Sequence, residues 1–135
     1  MQTKQGQYRG AKIIDSISRP SLDDLMNSSM TLWQSFYGFT VETEEEVFDL
    51  DGPILMDFRV PQLDAFCFAY VLSYNKRQAL VEYTQFTTER HLDQRLFHQE
   101  LMNYLHKHWG LRKGFTITEE ELGQIPMSNY PFDPK

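Results

Sequence analysis

The sequence predicts an α+β fold: an antiparallel sheet of about four to five strands with one long helix packed on one face. Three observations predict it. The runs FCFAYVLSY (Phe66 to Tyr74) and QALVEYTQFT (Gln78 to Thr87) read as strands, and the short connection Asn75, Lys76, Arg77 joins them as a hairpin. Downstream, Leu92, Leu96, Phe97, Leu101, Tyr104, Leu105 and Trp109 form one apolar stripe at helical spacing. Upstream, further runs rich in β-branched and aromatic residues supply strands to pair with the hairpin.

Taken in order, AKIID (Ala11 to Asp15) reads as a short strand ended by Ser18, Arg19 and Pro20. Ser21 is placed to cap a brief helical turn through Asp23, Asp24, Leu25 and Met26. Thr31 to Val41 is dense in aromatic and β-branched residues and reads as a strand, with Gly38 marking a bulge or a close approach. Glu42 to Glu46 reads as a solvated acidic turn, and Leu50 to Pro53 as a turn before a strand over Ile54 to Val60, closed by Pro61. Alternation puts Phe66, Phe68, Tyr70, Leu72 and Tyr74 on one face of the next strand. Thr87 or Thr88 is the expected N-cap of a helix over about Glu89 to Trp109, and Gly110 ends it. Phe115 to Thr118 is the last expected strand, followed by an acidic stretch, Glu119 to Glu121, and a loop-like tail.

A chain of 135 residues is read as one domain, long enough for a real core. Nineteen acidic against 13 basic residues leave a net charge of −6, which gives no electrostatic footprint for nucleic acid. The single cysteine, Cys67, sits in an apolar run with no partner for a disulfide and no local histidine to activate it, so it reads as a small core residue. No signal region or transmembrane-length apolar run is present, so the chain is read as cytoplasmic, with contact to a membrane surface through exposed aromatics left open. His91, His98, His106 and His108 lie on or beside the expected helix without acidic or cysteine partners at metal spacing, and no metal is expected. Phosphate loops, G-x-G-x-x-G turns and G-x-S-x-G elbows are missing from the sequence.

Glu82 is the residue that asks for an explanation, because it interrupts a strand and shares its face with Leu80, Thr84 and Phe86. If that face is buried, desolvation favours the neutral acid and equips Glu82 as a proton donor; if it is solvated, Glu82 is a surface residue, as most strand carboxylates are. Asp57 and Arg59 alternate with Met56 and Phe58, which lets them face a shared cavity with Glu82 or form an ordinary ion pair.

The segments WQSFYGFTVE, VFDLDGPILMDFRVPQ, FAYVLSY, QALVEYTQFT and ELGQIPM, in this order from about Ile13 to Met127, resemble the substrate-binding region of the lycopene cyclase family of flavoproteins. The resemblance implies the substrate domain of a flavoprotein-monooxygenase-like fold. It also implies an enzyme that cyclises the ends of lycopene to β-ionone rings in carotenoid biosynthesis, by protonation of a terminal double bond without net redox change. It implies reduced FAD as cofactor, and it puts the acid on the Glu of LVEYT, which is Glu82. Phe36, Phe68 and Tyr70 are candidate aromatic faces for a developing cation on strand parity alone, and Asp57, Arg59 and Leu80 complete the candidate substrate-binding set. Ser73 stands where the family usually has Pro after YVL. The dinucleotide-binding βαβ unit and the return to the flavin domain have no counterpart in the sequence. The expectation is therefore a substrate domain that works against a flavin domain, does not bind FAD alone and has little activity by itself. The other reading is a non-catalytic domain that binds a hydrophobic ligand, a partner protein or a second copy of itself.

Overall fold

The computed structural model describes residues 2–3, 6–7, 9–12, 20–27, 30–62 and 64–131. Among the described residues, seven strands and two helices follow one another: β1 (Gln2–Thr3), β2 (Gly6–Gln7), α1 (Leu22–Met26), β3 (Thr31–Thr43), β4 (Ile54–Asp57), β5 (Phe66–Asn75), β6 (Gln78–Thr87), α2 (Gln94–Trp109) and β7 (Phe115–Ser128). The first two strands pair only with each other; the other five form one antiparallel sheet in the order β4-β5-β6-β3-β7. The class is α+β, with two helices where the sequence predicts one long one. The strand expected over Ala11 to Asp15 falls largely on residues 13–15, outside the described residues.

The hairpin of β5 and β6 pairs antiparallel as expected, with Phe68 opposite Thr84, Tyr70 opposite Glu82 and Leu72 opposite Leu80. Ser21 caps α1 in a reciprocal box: its side chain accepts from Asp24 N–H at 3.1 Å, and its own N–H donates to Asp24 Oδ2 at 2.9 Å. Helix α2 begins later than Thr87 or Thr88 would set it. Asp93 is the N-cap, accepting from the N–H groups of Arg95 and Leu96 at 3.1 Å each, while Thr87 donates its hydroxyl to the Glu89 carbonyl at 2.6 Å. Gly110 ends the helix in the left-handed conformation (φ 69°), which a residue without Cβ adopts at little cost.

One sheet face and α2 make the core. Phe97, Leu101, Tyr104 and Leu105 of α2 pack on Tyr37, Phe39 and Val41 of β3, Cys67, Ala69 and Val71 of β5, and Ala79, Val81 and Tyr83 of β6. These residues alternate along their strands, so the intervening residues all emerge on the face away from α2. Cys67 is fully buried and burial pushes its thiol pKa up, which suits a packing role.

Strand boundaries differ from the sequence reading as well. Strand β4 stops at Asp57 because the Arg59 N–H donates to Asp57 Oδ1 at 3.0 Å, a local turn that takes the chain out of the ladder. Strand β7 runs ten residues past Thr118, so Glu119 to Ser128 belong to the sheet. This strand pairs along its whole length with β3 and forms the sheet edge, where charged side chains are tolerated because they remain solvated.

Candidate functional site

The face away from α2 carries the unusual chemistry. Along β6 it presents Leu80, Glu82, Thr84 and Phe86; along β5, Phe68, Tyr70 and Leu72; along β3, Gln34, Phe36, Gly38 and Thr40. A shallow hollow of about 300 Å³ on this face is lined by Gln34, Phe36, Leu55, Tyr70, Leu72, Leu80, Glu82 and Ile125. Four of the seven candidate residues, Glu82, Phe36, Tyr70 and Leu80, therefore meet in one place.

Phe68 lies one residue pair further along. It is fully buried in a cluster with Phe58, Phe66, Tyr70 and Phe86, its ring edge-on to Tyr70 with centroids 5.0 Å apart. It supports the wall of the hollow without lining it.

Asp57 and Arg59 do not share the cavity with Glu82. Asp57 pairs with Ala69, which faces the helix, and so Asp57 points there too. It accepts from the Tyr104 hydroxyl at 2.7 Å, from Arg59 Nε at 2.9 and 3.0 Å, and from Arg59 Nη2 at 2.5 Å. Those donors, with Arg59 first, hold its carboxyl well below the usual carboxylate range. Alternation correctly separates Asp57 from Phe58; it does not say which of the two faces the helix. Phe58 is the one on the Glu82 side, 5.1 Å from Phe66 between ring centroids.

Glu82 is partly buried, and its Oε1 accepts a hydrogen bond from Thr84 Oγ1 at 2.8 Å. Burial pushes its pKa from 4.5 up to about 7; the Thr84 bond opposes this, and the nearby Glu121 carboxylate adds to it. The backbone beside it is cleared by Gly38, the register partner of Glu82 on β3: a Cβ there would stand 3.1 Å from Glu82 Cβ and 3.1 Å from the Val81 carbonyl oxygen. Gly38 is thus a close-approach glycine, and the irregularity in β3 lies further on, between Thr40 and Val41. Phe36 uses a second such gap, its ring lying over Gly123, where a Cβ would come within 2.6 Å of the Phe36 Cζ.

Sequence reasoning misses three participants. Glu121 and Gly123 reach the site only because β7 extends as a strand, placing Glu121 opposite Gly38 and Gly123 opposite Phe36. Thr84 is legible as a face-mate of Glu82, two residues on, but not as its donor. Among the described residues no group of three or more His, Cys, Asp and Glu could hold a metal ion, and no helix is long and apolar enough to cross a membrane. A larger hollow, about 660 Å³, opens where the sheet meets the start of α2, lined by Leu32, Phe66, Phe86, His91, Leu96 and Phe97 among others. It has the greater volume, and Glu82 does not line it.

Compared with known proteins, the chain is matched over residues 4–135 by the family model described as lycopene cyclase protein. No curated protein and no solved structure compared with it gives a match.

Proposed function

Because the chain belongs to the lycopene cyclase family, we propose that its open sheet face receives one end of a long polyene such as lycopene, and that Glu82 is the acid that starts cyclisation to a β-ionone ring. The observation that carries this reading is a carboxyl group set among Leu80, Tyr70, Phe36 and Ile125, with a pKa pushed up to about 7 by burial. Such an acid keeps its proton near neutral pH and can still release it to a weak carbon base.

The proton goes to the terminal C=C, whose π pair forms the new C–H bond. The resulting cation is attacked by an internal double bond, closing the ring, and loss of a proton from the ring cation completes an isomerisation without redox change. Tyr70, directly opposite Glu82, supplies an aromatic ring beside the developing positive charge. From Glu82 to Phe86 the face continues for four residues, about 13 Å of strand, towards the larger hollow that Phe86 and Phe66 line. This is an apolar track suited to a hydrocarbon chain. Leu55, Phe58, Phe66, Ile125 and Met127 are exposed on or beside this face, which suits a protein that works at a membrane surface or against a second domain.

The described residues do not fit a flavin. Asp93 occupies the amide donors at the start of α2 with a carboxylate, where a pyrophosphate would need them free, and no glycine-rich strand-to-helix turn is present among the described residues. The reduced flavin implied by the resemblance would be held by a flavin domain, in a cytoplasmic enzyme peripheral to the membrane.

The test is Glu82→Gln in a lycopene cyclase whose corresponding segment is replaced by this chain, with pigments separated from lycopene-accumulating cells. Loss of cyclic products at unchanged protein level supports the role; retained cyclisation removes Glu82 from it. A parent chimera that retains lycopene on the protein without converting it favours the non-catalytic binding domain.

A further inference from the structure

Gly38 stands between two carboxylates. On one side its register partner is Glu82 of β6, and on the other it is Glu121 of β7, so all three emerge on the face away from α2. With no side chain at Gly38, β3 places no side chain between the two acids, and the Glu121 carboxylate is near enough to push the Glu82 pKa up. Glu121 also lines an adjoining hollow of about 120 Å³ that shares Leu80 with the Glu82 hollow. Thr84 donates to Glu82 Oε1, so a proton on Glu82 belongs on Oε2.

The other titratable groups on this face are Tyr70, opposite Glu82 on β5, Glu119, opposite Thr40 on β7, Tyr74, which lines the adjoining hollow with Glu121, and Glu42 at the far end of β3. Near Glu82, strand β3 contributes Gln34, Phe36, Gly38 and Thr40, and β4 contributes Leu55 to the hollow. The ion pairs among the described residues, Arg59 with Asp57 and Lys76 with Glu46, involve neither Glu82 nor Glu121.

We propose that Glu121 is the positioning residue of the acid: its carboxylate, facing Glu82 across the bare Gly38, accepts the Glu82 O–H and holds the proton on Glu82. This rests on the reading of Glu82 as the proton donor. When Glu82 releases its proton to the substrate double bond, two carboxylates are left facing each other. Their repulsion favours recovery of a proton, which the cyclised cation supplies as its C–H pair collapses into the ring double bond. The pair thus ends the cycle in the state in which it began.

The experiment is a carboxyl-carbon NMR titration of Glu82 in the 135-residue chain labelled at glutamate, with Glu82→Gln assigning the resonance. The Glu82 midpoint falls by about one pH unit in Glu121→Gln and further in Glu121→Lys, whereas Glu121→Asp keeps most of it and Glu119→Gln leaves it in place. A midpoint unmoved in Glu121→Gln, or moved equally by Glu119→Gln, overturns the pairing. Residue 121 is on an exposed edge strand, so these variants keep the fold, and their amide spectra verify it. The two readings fail separately: retained cyclisation in Glu82→Gln removes the acid role whatever the titration gives, and an unmoved midpoint removes Glu121 whatever the activity.

Discussion

Glu82→Gln makes a stability prediction independent of any substrate. The Glu82 pKa of about 7 in the folded chain lies above its ordinary 4.5, so between these values the folded state binds more protons than the unfolded state. The stabilisation linked to Glu82 is therefore fully present below about pH 4.5 and is lost as pH rises through 7. At about 1.36 kcal/mol per pH unit the ceiling is about 3 kcal/mol. Glu82 is only partly buried, so solvent screening reduces this to roughly 1–2 kcal/mol. For a chain of this length each kcal/mol moves Tm by about 3–5 °C.

The assay is urea or thermal unfolding of wild type and Glu82→Gln from pH 4 to 8, read as the difference between the two, which cancels the titrating groups that do not interact with residue 82. The wild-type advantage shrinks by roughly 1–2 kcal/mol across that range. A flat difference refutes the claim that burial perturbs Glu82. A difference that grows with pH means that the Thr84 hydrogen bond to the ionised form outweighs desolvation, and the proton-donor argument fails with it.

The remaining predictions concern the frame around the site. Gly123→Ala drives a Cβ to within 2.6 Å of the Phe36 ring and lowers unfolding free energy by about 1–3 kcal/mol; Phe36→Leu in the same chain recovers most of it, and failure to recover means that the ring is not what the glycine accommodates. Tyr104→Phe removes one hydrogen bond from Asp57 and costs about 1 kcal/mol in urea unfolding. Asp57→Ala costs more, because it leaves a buried hydroxyl and the Arg59 fork without their acceptor. Since the Asp57 pKa is depressed in the fold, its contribution is present above the ordinary carboxylate range and is lost as pH falls through its folded value. Asp57→Ala therefore flattens the acid limb of the stability profile, while Glu82→Gln flattens the neutral one.

The parts of the fold that sequence made legible are those specified by short-range pattern. The hairpin from Phe66 to Thr87 follows from two alternating runs and a short connection, and the α2 seam follows from a 3.6-residue period. The start of α2 was misplaced because Thr87, Thr88 and Asp93 are all competent caps, and only packing against the sheet decides among them. Strand β7 was cut short because Glu119, Glu120 and Glu121 have poor strand propensity; its extended pairing with β3, a partner some eighty residues away, overrides that local preference. Ending the strand at Thr118 leaves Glu121 and Gly123 out of the site. For Asp57 the sequence leaves a cavity shared with Glu82 and an ion pair both open, because alternation fixes which residues share a face while the β5 register sets which face turns to the helix; the structure has the ion pair with Arg59.

The two faces of the sheet show what kind of constraint the open one is under. Facing α2, strands β5 and β6 present Cys67, Ala69 and Val71 against Ala79, Val81 and Tyr83, a packing that stability alone would select. On the other face, the centre of the sheet holds an acid, a neighbouring strand position stripped to glycine, and a second acid beyond it. Glycine inside a strand costs about 0.5–1 kcal/mol relative to alanine, and a desolvated carboxyl adds a further cost as pH rises. An apolar side chain at 82 with alanine at 38 would ease both costs only if the neighbouring backbone gave way by a few tenths of an ångström, because the added Cβ would stand 3.1 Å from the Val81 carbonyl oxygen. The close strand approach and the buried acid are therefore one feature. Local departures from the most stable choice, concentrated on one face and coupled through one backbone contact, are what a catalytic surface requires and a packing surface does not.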